Sequence, residues 1–141
     1  MAYTTLTKIL LTIPRSEIEK LTNDNKVGDI DTAIVDNAIT DADNTIDAYA
    51  RGRYPVDITG TVPEFYETIS TTLAICNLYA RKLILTLPKA LEKKCDMAMD
   101  MLKQIQKGEL TPFEADDEPE VVIVKTRPRD FTIEFLDQYK C

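Results

Sequence analysis

Prolines at positions 14, 63 and 88 and a glycine at 108 divide this 141-residue chain into stretches whose apolar residues recur every three or four positions. Proline lacks an amide donor and clashes with the preceding turn, so it ends a helix or opens one. Leu6, Ile9, Leu10 and Ile13 keep helical spacing up to Pro14. Ser16 is then placed as the cap of a second short helix, with Glu17 and Glu19 in its first turn and Ile18 and Leu21 on its apolar side. After a polar loop from Thr22 to Gly28, a long helix is expected from about Asp29 to Arg51, capped by Asp29 or Asp31. Its stripe is Ile30, Ile34, Ala38, Ala42, Ile46 and Tyr49. Asp36, Asp43 and Asp47 fall on the other side and read as a solvated face, dispensable for folding.

The segment from Gly52 to Gly60, with Pro55, breaks that helix. Pro63 suits the first turn of the next, expected to run to about Thr86 with Phe65, Ile69, Leu73, Cys76, Ala80, Leu83 and Leu87 inward. Pro88 restarts the chain, and Leu91, Cys95, Ala98, Leu102 and Ile105 form a further stripe that Gly108 closes as a C-cap. Residues 1–108 carry 13 basic and 15 acidic side chains, a net charge of -2, whereas residues 109–141 carry 4 and 9, a net of -5. From Glu109 to Val124 six acids occur without one base. Lys125, Arg127 and Arg129 follow, and Val121–Val124 and Phe131–Phe135 have strand-like patterns. The expectation is an all-α, bundle-like body of four to five helices over residues 1–108. An acidic, then basic, extended arm over 109–141 follows it and carries the short β-strands.

The chemistry available is narrow. There is no histidine, so the commonest general base and metal ligand is missing, and the net charge of -7 opposes broad binding to nucleic-acid phosphates. The basic residues of the Thr5–Leu21 helical pair, Lys8, Arg15 and Lys20, are scattered and offset by Glu17 and Glu19, a poor match to a DNA-reading motif. Asn23 to Gly28 imitates a calcium loop, but Asn23 stands where Asp should open it, Val27 at a ligand position, and Ile34 where the closing Glu belongs. Glu64 with Glu67, and Glu92, Asp96 and Asp100 at one-turn spacing, are the candidate carboxylate sets for a two-metal hydrolase. Lys93, Lys94, Lys103 and Lys107 share the surface of the second set, so ion pairs are its simpler reading. Met97, Met99 and Met101 alternate around their helix and read as packing residues.

Cys76, Cys95 and Cys141 are far apart, with no CxxC pair; they read as two buried small hydrophobes and a terminal thiol in a reducing compartment. No apolar run approaches the ~20 residues of a membrane span, and no signal peptide is expected at Met1–Thr5. No catalytic residue, metal or cofactor is expected. Interaction chemistry concentrates at two places instead. One is Arg51, Arg53 and Tyr54, where the long helix ends. The other is Arg127, Arg129, Phe131, Phe135 and Tyr139 in the arm, where apolar side chains seek burial beside two arginines suited to carboxylates.

The order of these features resembles the phage Mu-type head–tail connector (adaptor, or head completion) proteins. The likeness covers about residues 3–112. It rests on Ala38-Ile39-Thr40-Asp41-Ala42-Asp43 with Ile46-Asp47-Ala48-Tyr49, on Arg53-Tyr54-Pro55-Val56, and on Ile69-Ser70-Thr71-Thr72-Leu73-Ala74 with Leu78-Tyr79-Ala80-Arg81. Ala98, Met101-Leu102 and Lys107-Gly108-Glu109-Leu110 complete it. The resemblance implies a non-enzymatic virion protein at the neck, synthesised in the host cytoplasm. It would assemble as a homo-oligomeric ring matching a roughly twelve-fold portal. Its partners would be the portal protein and a tail-side connector, stopper or tail terminator, with DNA passing through the channel without sequence-specific binding. An acidic channel lining would repel that DNA instead of gripping it. The alternative from the residues alone is a metal-dependent all-α nucleotide hydrolase using helical carboxylates.

Overall fold

The computed structural model describes residues 2–24, 28–56, 58, 60–82 and 85–113. The expected strands around Val121–Val124 and Phe131–Phe135 lie outside the described residues. Five helices are seen among them: α1 (Leu6–Thr12), α2 (Arg15–Thr22), α3 (Thr32–Ala50), α4 (Glu64–Arg81) and α5 (Lys89–Lys107). The long helices α3, α4 and α5 pack against one another, α1 lies against α3 and α4, and α2 lies against α4. The body is an all-α bundle, as expected.

Pro63 lies one position ahead of the first turn expected of it, and Pro14, expected only to end the first helix, and Pro88 take the same place. Pro14, Pro63 and Pro88 are N-caps with extended backbone, and each helix begins at the next residue. The Pro14 carbonyl accepts the amides of Glu17 and Ile18, so Ser16 is not the cap of α2 but an exposed first-turn residue. Asp31, not Asp29, caps α3, its carboxylate accepting from the amides of Ala33 and Ile34 at 3.0 and 3.4 Å. Helix α4 stops at Arg81, short of Thr86. Its end is tied down: Arg81 donates to the Leu21 carbonyl at 3.1 Å and pairs with Asp24, which Lys82 also contacts.

Ala38, Ala42, Ile46, Ile69, Leu73, Ala98, Leu102 and Ile105 are buried where the periodicity placed them. Two faces are turned relative to expectation. On α4 the buried line includes Tyr66, Ser70, Ala74, Ile75, Leu78 and Tyr79, whereas Ala80 is exposed, Phe65 and Cys76 are half-buried, and Leu87 follows the helix. On α3, Val35, Ile39, Ala50 and Asp43 are buried as well.

Asp43 corrects the solvated-face reading, because only Asp36 of the three aspartates is exposed. Asp43 is 5% accessible, accepts the Tyr3 amide at 3.0 Å and accepts the Ser70 hydroxyl. Half-buried Asp47 accepts the Tyr3 hydroxyl. Tyr3 is itself buried, its ring 5.4 Å from that of Tyr66, and the hydroxyls of Thr4 and Thr71 meet at 2.6 Å. The residues ahead of α1 therefore cross α3 and α4 as a strap held by polar contacts.

The cysteine reading is also corrected. Cys76 on α4 and Cys95 on α5 form a disulfide, with Cα atoms 6.3 Å apart. They are 19 residues apart in sequence, but the turn at Pro88 brings the two helices together. Cys141 lies outside the described residues.

Three outcomes follow. Burial holds the Asp43 carboxyl above its ordinary value of 3.8, with the hydrogen bonds from Ser70 and the Tyr3 amide opposing the rise. The folded state thus binds this proton more tightly than the unfolded chain does. Asp43's contribution to stability is present in full below 3.8 and is lost as pH rises through the raised value. In urea titrations across that window, wild-type stability measured against Asp43→Asn should fall as pH rises. Asp43→Ala should cost about 1–3 kcal/mol for each donor left buried without an acceptor. Reducing the Cys76–Cys95 bond should lower stability by about 3 kcal/mol, the loop-closure value for a loop of this size, read as a lower urea midpoint with dithiothreitol.

Candidate functional site

The carboxylates considered for a hydrolase do not converge. Glu64, Glu92, Asp96 and Asp100 are exposed, Glu67 pairs with Lys8 at 3.2 Å, and Asp100 pairs with Lys103 at 3.4 Å. Among the described residues no group of three or more Asp, Glu, Cys or His side chains is arranged to hold a metal ion. Met97 is exposed, whereas Met99 and Met101 pack against the core.

Arg51, Arg53 and Tyr54 are brought together. After Ala50 the chain turns tightly, the amides of Arg53 and Tyr54 both donating to the Ala50 carbonyl at 2.9 Å. That turn opens a cleft of about 610 Å³ between the ends of α3 and α5, with Tyr49, Arg51, Gly52, Arg53, Tyr54 and Gln106 in its wall. Arg53 crosses from one helix end to the other, its Nε donating to the Gln106 carbonyl at 2.9 Å. A cation there satisfies a terminal carbonyl and suits the negative end of the α5 dipole.

Gly108 makes this crossing possible. It has φ 80° and closes α5, its amide donating to Ile105 and the Glu109 amide donating to Gln104. A left-handed backbone favours glycine, and any Cβ here would collide with the Arg53 guanidinium. Residues 109–113 stay on the body. Leu110 and Phe113 pack against the core and Pro112 is buried. The Phe113 ring lies 5.6 Å from Tyr54 and meets Tyr66 edge-on at 6.0 Å. Burial pushes the Tyr66 hydroxyl well above the usual tyrosine range.

Arg127, Arg129, Phe131, Phe135 and Tyr139 lie outside the described residues. Gln106, Gly108 and Phe113 are members of this site that the periodicity did not single out. Only Gly108 carried a local signal, as a C-cap, and its second task of admitting Arg53 depends on a contact 55 positions away in sequence. Gly108→Ala should therefore carry the cost of a left-handed backbone and push the flexible Arg53 guanidinium aside. About 1–3 kcal/mol is expected for the left-handed backbone together with displacement of Arg53, read by urea denaturation beside Arg53→Ala as the milder reference.

No curated protein matches the chain. A family model described as Bacteriophage Mu, Gp36 matches residues 3–123, a span that contains the Tyr3 strap, all five helices and the Arg51–Tyr54 cleft. The chain belongs to the bacteriophage Mu Gp36 family.

Proposed function

We propose that this protein is a structural virion component, a head–tail connector (adaptor) subunit that forms a ring between the portal and the tail and lines the DNA channel. The observation that carries the reading is the family match over residues 3–123. It is supported by a helical body in which Glu64, Glu92 and Asp96 are exposed and Glu67 and Asp100 pair with lysines instead of converging on a shared centre. A ring of roughly twelve copies would be built by head-to-tail contacts between neighbours. Arg51, Arg53 and Tyr54 on the body, and Arg127, Arg129, Phe131, Phe135 and Tyr139 in the arm, supply side chains suited to such contacts. The portal protein lies on one side and a stopper, second connector or tail terminator on the other, at the neck of the particle.

Electron microscopy of the protein mixed with portal tests this directly. Rings seated beneath the portal are expected. A chain truncated after Phe113 should keep its helical circular dichroism and fail to join them. The same preparation should show no turnover of nucleoside triphosphates with magnesium or manganese. Turnover abolished by Asp96→Asn or Glu67→Gln in a folded protein would overturn the proposal, as would a protein that never associates with portal.

A further inference from the structure

We propose that the cleft between the ends of α3 and α5 holds the acidic segment that directly follows Phe113 in the same chain, with Arg51 and Arg53 as its partners. The proposal holds whether or not the chain is a connector, because it concerns the free subunit.

The first observation is unneutralised charge. Arg15 pairs with Glu19 and Asp29, and Arg81 pairs with Asp24. Arg51 and Arg53 are exposed and, among the described residues, have no ion pair. Arg53 spends Nε on the Gln106 carbonyl, and a single carbonyl leaves its positive charge uncompensated. Among the described residues, the acids nearby in sequence do not fill the gap. Asp47 accepts the Tyr3 hydroxyl, and Glu109 is exposed beyond the α5 cap.

The second observation is where the described chain ends. Phe113 packs on Tyr54, a wall of the cleft, so the described chain ends at the rim of the cleft. The seven residues from Glu114 to Glu120 include five acids: Glu114, Asp116, Asp117, Glu118 and Glu120. They include no base, so they cannot neutralise one another. Extended, seven residues reach about 23 Å, ample to lie across the two arginines.

The occupant is taken from the same chain because of that anchor. A short tether gives an effective concentration in the millimolar range, which a second copy in dilute solution cannot match. Charge-assisted hydrogen bonds from guanidinium to carboxylate are the recognition chemistry, and an exposed site makes them sensitive to salt. The whole body is net negative, but at physiological salt a charge acts over only about 8 Å. The two arginines therefore decide what this cleft attracts.

The test leaves the body untouched. Arginine Nε–H signals would be recorded by nitrogen-15 NMR for the full chain and for the full chain carrying Glu114→Gln, Asp116→Asn, Asp117→Asn, Glu118→Gln and Glu120→Gln. At low salt the Arg51 and Arg53 signals should differ between the two proteins, while those of Arg15 and Arg81 coincide. At about 1 M salt, where the Debye length is about 3 Å, the Arg51 and Arg53 signals should converge. The difference should not change when the protein is diluted. Coincident Arg51 and Arg53 signals at low salt would overturn the proposal. A difference that vanishes on dilution would overturn it too, because the segment would then belong to a second copy.

Discussion

The Asp43 carboxylate sets the geometry of this body. It sits within α3 on a face otherwise made of Val35, Ile39, Ile46 and Ala50, and it would be a costly charge there without donors. The two it has come from different parts of the chain: the Tyr3 amide ahead of α1 and the Ser70 hydroxyl on α4. Meeting both requires α4 to present Ser70 and Tyr66 inward and requires the N-terminal strap to cross both helices. The rotation of α4, the burial of Tyr3 and the Thr4–Thr71 contact follow from that one need. Apolar packing alone tolerates a sliding helix, since Leu and Ile contacts have no direction. A hydrogen-bonded carboxylate does not.

The remaining closures fix lengths and ends. Arg81 and Lys82 pin the end of α4 to the α2–α3 connection through Asp24. The Cys76–Cys95 bond ties α4 to α5 within a half-buried seam. Helix α5 makes fewer buried contributions than its length allows, with only Ala98, Leu102 and Ile105 fully inside. A covalent tie near its first half and the Gly108–Arg53 arrangement at its end hold a helix whose own apolar stripe is narrow.

Helix existence was legible because proline and glycine act locally and the apolar spacing is regular. Helix rotation was partly illegible because small and polar residues can face inward. Asp43 is four residues after Ile39 and three before Ile46, so helical arithmetic places it on a buried line. Reading charge as exposure concealed that, and nothing near Asp43 in the sequence names Tyr3 or Ser70 as its donors. The disulfide was hidden for a related reason: nineteen residues separate its cysteines, and spacing says nothing of which helix faces meet. At the site, Arg51, Arg53 and Tyr54 were recognisable as a cluster because they are contiguous. Gln106 and Phe113 join them only through the crossing of α3 and α5.

That crossing also explains why interaction chemistry gathers at this end of the bundle. Two helices terminate side by side there, and each leaves carbonyls without intrahelical partners. Cations are drawn to such ends, and a body that supplies them as arginines obtains flat, multidentate groups that can serve a helix terminus and an external carboxylate together. Arg53 already shows the first half of this arrangement at Gln106. Arg51, one turn after Asp47 and at the C-cap of α3, has its charge at the same negative end without a carboxylate partner among the described residues. A helical subunit that must hold its own shape and still grip an acidic segment has reason to place both tasks where helices stop, because there one residue type serves each.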